Sequence, residues 1–210
     1  MPPLESRLFL VTDRHQANGR PLVPLLQRVL TAAVPVIQLR ERDLSARELV
    51  KLAREVQAVT VSRRSQLLIN DRIDVALALE GVGVHLRSNS LPVSVARRLM
   101  GAQRLLGVSV HAIEEVMEAE SQGADYLVLG PIYETPSKQM FGPPLGIRTL
   151  ETACRLVRIP IIGIGGVTAA RVHEMRRAGA FGVAVITAIL GAADVESATR
   201  ELLEAVTFLP

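Results

Sequence analysis

Short apolar runs alternate with amphipathic stretches from one end of the chain to the other. The run LFLVT at 8–12 ends at Asp13, and a polar loop, HQANGR, leads into a helical pattern over 21–33. VPVIQLR at 34–40 ends in charge, after which Ser45 as N-cap and Glu48 as its capping-box partner predict a helix through about residue 63. LLIN at 67–70 precedes a helical 73–80, GVGVHL at 81–86 a helix near 92–100, and RLLGVSV at 104–110 the stretch AIEEVMEAE. YLVLGPI at 126–132 is followed by a longer loop rich in Thr, Pro, Ser, Lys and Gly, then by a helix near 147–157. PIIGIGG at 160–166 precedes a helix over 168–178, and GVAVITAI at 182–189 precedes a last helix over about 194–206.

The result is eight strand and helix pairs with no linker or low-complexity stretch between them. A parallel strand needs a crossover helix, so this alternation predicts an α/β fold, a single-domain (β/α)8 TIM barrel over residues 1–210. An open doubly wound sheet is the competing arrangement. Composition agrees with helix-covered parallel strands: 49% of residues are hydrophobic, aromatics make up 3% and Trp is absent, so the core is branched aliphatic.

Charge and cysteine content narrow the chemistry. A formal net charge of +3, with acids and bases interspersed, disfavours nucleic acid as a partner but admits anionic small molecules. The single cysteine, Cys154, has no partner for a disulfide or a metal site and reads as core. No targeting pattern and no membrane-length apolar run is present, so a soluble, cytoplasmic protein without a membrane partner is expected. Association into a homo-oligomer is left open.

In a barrel, chemistry belongs to the C-terminal ends of the strands. The residues there are Asp13, Gln38, Arg40, Asn70, Asp71, Ser90, Ser109, His111, Thr135, Ser137 and Lys138, followed by the glycines of PIIGIGG. Glycines ending a β-branched run bring bare N–H groups up to a phosphate, or simply make a tight turn. In the seventh unit of a barrel the phosphate reading has a geometric reason, and backbone at Ile186 and Thr187 would close the other side. Arg40, Arg42 and Lys138 supply positive charge, and Asp71 is a candidate Mg²⁺ ligand against anionic oxygens. Glu41, Arg42 and Asp43 fit surface salt bridges as well as function.

These residues lie in a set of motifs: QLRER at 38–42, INDRIDVALAL at 69–79, GVHL at 83–86 and GVSVH at 107–111. Further along come GADYLVLGPIYETPSK at 123–138, GIGGVT at 163–168 and GVAVITAI at 182–189. In this order they resemble the thiamine phosphate synthase and thiazole tautomerase family over nearly the whole chain. The resemblance implies a synthase that joins a pyrimidine carried on a diphosphate to a thiazole phosphate with Mg²⁺, giving thiamine phosphate and diphosphate. It implies Gln38, Arg40, Asn70 and Lys138 around the pyrimidine diphosphate, Asp71 on the metal, and Ser109 near the pyrimidine. Thr135, Ser137, Gly165, Gly166, Ile186 and Thr187 would face the thiazole phosphate.

Three departures from the synthase pattern are visible. Arg87, Ser88, Asn89 and Ser90 stand where synthases carry a glycine, a glutamine and a second metal-binding aspartate; Arg42 replaces a lysine and Glu134 a proline. All three resemble the tautomerase branch, which moves a proton on a thiazole phosphate carboxylate and needs no metal. His111 is its acid/base candidate, because imidazole is the side-chain type suited to proton transfer near neutral pH, while His85 reads as inward-facing structure. A barrel that binds thiazole or thiamine phosphate without catalysis is the third alternative.

Overall fold

The computed structural model describes residues 4, 6–32, 35–135 and 143–208. Eight parallel strands close into a ring in chain order: β1 (Leu8–Val11), β2 (Val36–Leu39), β3 (Leu67–Asn70), β4 (Gly83–Leu86), β5 (Leu106–Val110), β6 (Tyr126–Leu129), β7 (Ile161–Ile164) and β8 (Gly182–Val185). Pairing of β1 with β8 removes both sheet edges, so the open-sheet competitor is ruled out.

Strand periodicity sorts the side chains into two cores. Phe9, Val11, Val36, Leu68, Tyr126, Val128, Ile162 and Ala184 point inward and are buried together. The alternate positions, such as Leu8, Leu10, Ile37, Leu39, Ile69, Val84 and Leu86, pack outward beneath the helices. With no Trp to fill the ring, volume is balanced by pairing large with small. Phe9 and Tyr126 have ring centroids 5.3 Å apart, and Gly107 is cross-strand neighbour to Tyr126. A Cβ on Gly107 would fall 2.0 Å from the Tyr126 ring. Glycine is required there by packing.

The helices follow the amphipathic stretches: α1 (Leu22–Ala32), α2 (Ala46–Ser62), α3 (Ile73–Leu77), α4 (Val93–Met100), α5 (Ile113–Ser121), α6 (Gly146–Leu156), α7 (Ala169–Arg177), α8 (Thr187–Leu190) and α9 (Val195–Thr207). The predicted capping box opens α2: Glu48 N–H donates to Ser45 Oγ, and Ser45 N–H donates to Glu48 Oε2 at 2.9 Å. Such a cap contributes about 1 kcal/mol. Asp194 accepts from the N–H groups of Glu196 and Ser197 at the start of α9.

Two sequence readings change. The helix expected over 73–80 stops at Leu77, with Ala78 as its C-cap and Gly81 in the left-handed region at φ +70. The apolar run at 182–189 is not one strand. It leaves the barrel after Val185, and Ile186 becomes the N-cap of α8, its carbonyl accepting from Leu190 N–H at 2.9 Å. An apolar run carries no period that separates a buried strand from a buried helical turn. Among the described residues no helix is long and apolar enough to cross a membrane.

Candidate active site

At the C-terminal ends of the strands the inward side chains turn from apolar to polar. On adjacent strands, Gln38 Nε2 donates to Asn70 Oδ1 at 3.0 Å, both groups buried. Asn70 is register partner to His85. His85 Nε2 lies 2.8 Å from Ser109 Oγ, and His85 Nδ1 lies 3.0 Å from the Tyr126 hydroxyl. Complete burial lowers the His85 pKa to about 3 and raises that of the Tyr126 hydroxyl, because neither ion would be hydrated. The floor of the barrel mouth is therefore a layer of neutral hydrogen-bonding groups.

Charge collects on one side of this floor. Asp71 follows β3 directly and takes a left-handed conformation at φ +64, which aspartate tolerates better than most residues. Its N–H donates to the His85 carbonyl at 2.8 Å, which fixes the carboxylate at the rim between β3 and β4. Burial would raise its pKa, but hydrogen bonds from Ser90 and Arg87 outweigh burial and hold the carboxyl below its usual range. Arg87 supplies Nε at 2.6 Å and Nη2 at 2.5 Å to the same oxygen, Oδ2, while its backbone N–H reaches Oδ1 at 3.4 Å. Arg40, half-buried beyond β2, has Nη1 3.8 Å from Asp13 Oδ2.

The second end of the site is built from the loops after β6 and β7. Gly165 and Gly166 have φ of +100 and +62. A Cβ on Gly165 would lie 2.6 Å from Pro131 Cβ, and one on Gly166 would lie 2.6 Å from the Glu134 carbonyl oxygen. The glycines are thus demanded by the close approach of the two loops, which is joined by hydrogen bonds from Ile132 N–H to the Ile164 carbonyl and from Tyr133 N–H to the Gly165 carbonyl. Arg171 braces the turn: its Nη1 donates to the Gly166 carbonyl at 2.6 Å, and its guanidinium stacks 4.6 Å from the Tyr133 ring centroid. Thr168, the N-cap of α7, makes no side-chain capping bond. Ile186 and half-turn residue Thr187, at the start of α8, follow β8 on the neighbouring side. In a ring of eight, β3 and β7 are diametrically opposed, so Asp71 and the Gly165–Gly166 turn face each other across the mouth.

The other expected residues are distributed between this mouth and the rest of the barrel. His111 is exposed just beyond β5; its Nδ1 donates to the Gly130 carbonyl at 2.5 Å, which leaves Nε2 as the basic nitrogen. Thr135 is half-buried on the sixth loop. Ser137 and Lys138 lie outside the described residues. Glu41 is structural: it is buried and accepts from Thr12 Oγ1 at 2.6 Å and from the Arg14 N–H at 3.1 Å. Asp43 pairs with Arg14 and His15. Cys154 is half-buried, and burial pushes its thiol up to about 11, so it is inert at neutral pH. Asp125 belongs to the other end of the barrel, before β6, where it pairs with Arg97 at 2.6 Å and accepts from Leu106 N–H. It cannot serve Asp71. Among the described residues no three His, Cys, Asp or Glu side chains gather as a metal centre.

Two residues of this site were legible but not singled out as functional in the sequence. Arg87 follows GVHL at once and so sits at a strand end, the position that marks chemistry in this fold. Tyr126 is in phase with Val128 on the inward face of β6, where a hydroxyl must find a partner.

Comparison with known proteins agrees with the geometry. A family model described as thiamine monophosphate synthase matches residues 8–189. The thiamine-phosphate synthase of Moorella thermoacetica is 43% identical over 200 residues, covering 95% of this chain and 95% of that protein. That of a Roseiflexus species is 42% identical over 195 residues, covering 93% and 83%. The structure of thiamine phosphate pyrophosphorylase from Pyrococcus furiosus superposes with a TM-score of 0.87 at 32% identity, over 96% of this chain and 95% of that one. With the eight-stranded barrel and a site at its C-terminal mouth already in place, these matches establish that the chain belongs to the thiamine monophosphate synthase family.

Proposed function

We propose that this protein is a thiamine-phosphate synthase, a transferase that couples a pyrimidine diphosphate to a thiazole phosphate and releases diphosphate. The observation that carries the reading is the pair of opposed ends of one mouth. Asp71, Arg87 and Arg40 lie on one side, and the left-handed Gly165–Gly166 turn on the other. A reaction between two phosphorylated molecules needs two such ends, whereas an isomerase acting on one phosphate needs one. The relatives named thiamine-phosphate synthase support the same choice.

On this reading the pyrimidine lies over the neutral layer of Gln38, Asn70, His85 and Ser109, with its diphosphate toward Arg40, Asp71 and Lys138. The thiazole phosphate sits against Gly165, Gly166, Thr135, Ser137 and the backbone at Ile186 and Thr187. Diphosphate departs from the pyrimidine methylene carbon as the thiazole nitrogen bonds to it. The electron pair of the breaking C–O bond leaves with diphosphate, and no protein nucleophile takes part. The protein's work is to hold the two reactants in line and to meet the charge developing on the leaving group. A floor of uncharged groups suits this, because it binds the ring without competing for the phosphates.

The site fits Mg²⁺ in a limited way. Asp71 is an ionised hard-oxygen donor, and Mg²⁺ is commonly held by one or two carboxylates with substrate phosphates and water. When bound it would neutralise diphosphate charge. The cytoplasmic location expected from the sequence goes with this reading.

A tautomerase is the second reading, favoured by the engagement of Asp71 with Arg87 and Ser90 and by the basic Nε2 that His111 presents. The test supplies both synthase substrates with Mg²⁺ and measures thiamine phosphate. In parallel, the thiazole phosphate carboxylate is supplied alone and its ring isomer is measured. Thiamine phosphate is the expected product. Turnover only in the second assay would overturn the proposal in favour of the tautomerase, and binding without turnover in both would leave a non-catalytic thiazole or thiamine phosphate binder.

A further inference from the structure

The guanidinium of Arg87 is paired with the carboxylate that the proposed reaction uses. Nε and Nη2 both reach Asp71 Oδ2, and the Ser90 side chain also favours the charged form of this carboxylate. The Asp71 side chain is 17% exposed and that of Arg87 is 47% exposed. The arginine is thus the more solvent-accessible partner of the pair. A cation binding Asp71 competes with the guanidinium already held on Oδ2. A diphosphate reaching the same rim meets an arginine whose Nη1 has no partner among the described residues.

We propose that Arg87 is a diphosphate-binding residue that shares Asp71 with the metal: it holds the carboxylate while the rim is free of ligand and turns to the diphosphate oxygens when they arrive. The inference rests on the synthase reading for its ligand and goes beyond it in assigning a residue and an order of binding. The exchange is favourable on charge grounds. An arginine facing a single carboxylate gains a polyanion that it can grip bidentately, and Asp71 is released at the moment an anion-bound cation needs it. Metal alone is disfavoured, since binding it would displace Arg87 with no anion to receive the guanidinium.

The test uses the whole protein and two probes that require no turnover. Inorganic diphosphate is titrated calorimetrically in metal-free buffer into wild type, Arg87→Met and Arg87→Lys. Mn²⁺ alone is titrated into the same proteins by electron paramagnetic resonance. Arg87→Met is expected to weaken diphosphate about tenfold or more and to tighten Mn²⁺ severalfold, while Arg87→Lys recovers most of the diphosphate affinity. Diphosphate affinity unchanged in Arg87→Met, or Mn²⁺ weakened by it, would overturn the proposal. Thermal melts establish that each variant is folded, and Arg87→Gln carries the same test if the methionine variant is not. Because neither probe reacts, a protein that makes no thiamine phosphate but binds diphosphate through Arg87 would refute the synthase reading and leave this one standing.

Discussion

The Tyr126 hydroxyl lies 3.0 Å from His85 Nδ1 inside the barrel, and the two ring centroids are 5.6 Å apart, both side chains buried. The pair holds a histidine neutral, with its pKa lowered to about 3 by burial. In the unfolded chain the same imidazole titrates near 6.5. Between these values the unfolded state binds the extra proton, so stability rises with pH through this window and is lost as pH falls below about 6.5. Urea unfolding from pH 7 to pH 5 is expected to show a slope approaching about 1.4 kcal/mol per pH unit from this group. His85→Gln should flatten the slope. An equal slope in both proteins would mean that His85 is protonated in the folded state.

Gly107 and Tyr126 form the tightest large-small pair inside the ring. Since an added Cβ would lie 2.0 Å from Tyr126 Cζ, Gly107→Ala should destabilise by roughly 2–3 kcal/mol through overpacking. In a Tyr126→Leu background the added cost should fall below about 1 kcal/mol, a coupling measured by a double-mutant cycle of denaturation midpoints.

Gly166 and Gly81 both have positive φ, +62 and +70, but differ in what surrounds them. A Cβ on Gly81 meets nothing within 4 Å, whereas one on Gly166 meets the Glu134 carbonyl at 2.6 Å and Tyr133 Cβ at 2.8 Å. Gly81→Ala should therefore cost only the left-handed backbone penalty, about 1 kcal/mol, with activity intact. Gly166→Ala should separate the sixth and seventh loops and raise KM for the thiazole phosphate by about tenfold or more, read from steady-state kinetics.

Asp71→Asn preserves the left-handed backbone, which asparagine also tolerates, but removes the negative charge. Its melting temperature should stay close to wild type, since an exposed ion pair contributes little. Turnover should drop on the order of a hundredfold or more while thiazole phosphate affinity is retained. Retained turnover would show that the leaving diphosphate is served by other groups.

Eight apolar runs each followed by an amphipathic stretch specify eight strand–helix units and few ways to arrange them, since parallel strands require right-handed crossovers; the pairing of β1 with β8 selects the closed ring over the open sheet. The chain order also picks out candidate site positions. Gln38, Asn70, Asp71, Ser109 and the Gly165–Gly166 turn all sit at strand ends, and strand ends can be counted along a chain. Tertiary structure decided what those residues face. That Glu41 is a buried partner of Thr12 and that Asp125 is tied to Arg97 at the far end depend on contacts 29 and 28 residues apart. The bond between Arg87 and Asp71, from β4 to β3, is of the same kind. Periodicity places a side chain on a face, but a charge acquires its role from the neighbour that folding brings to it.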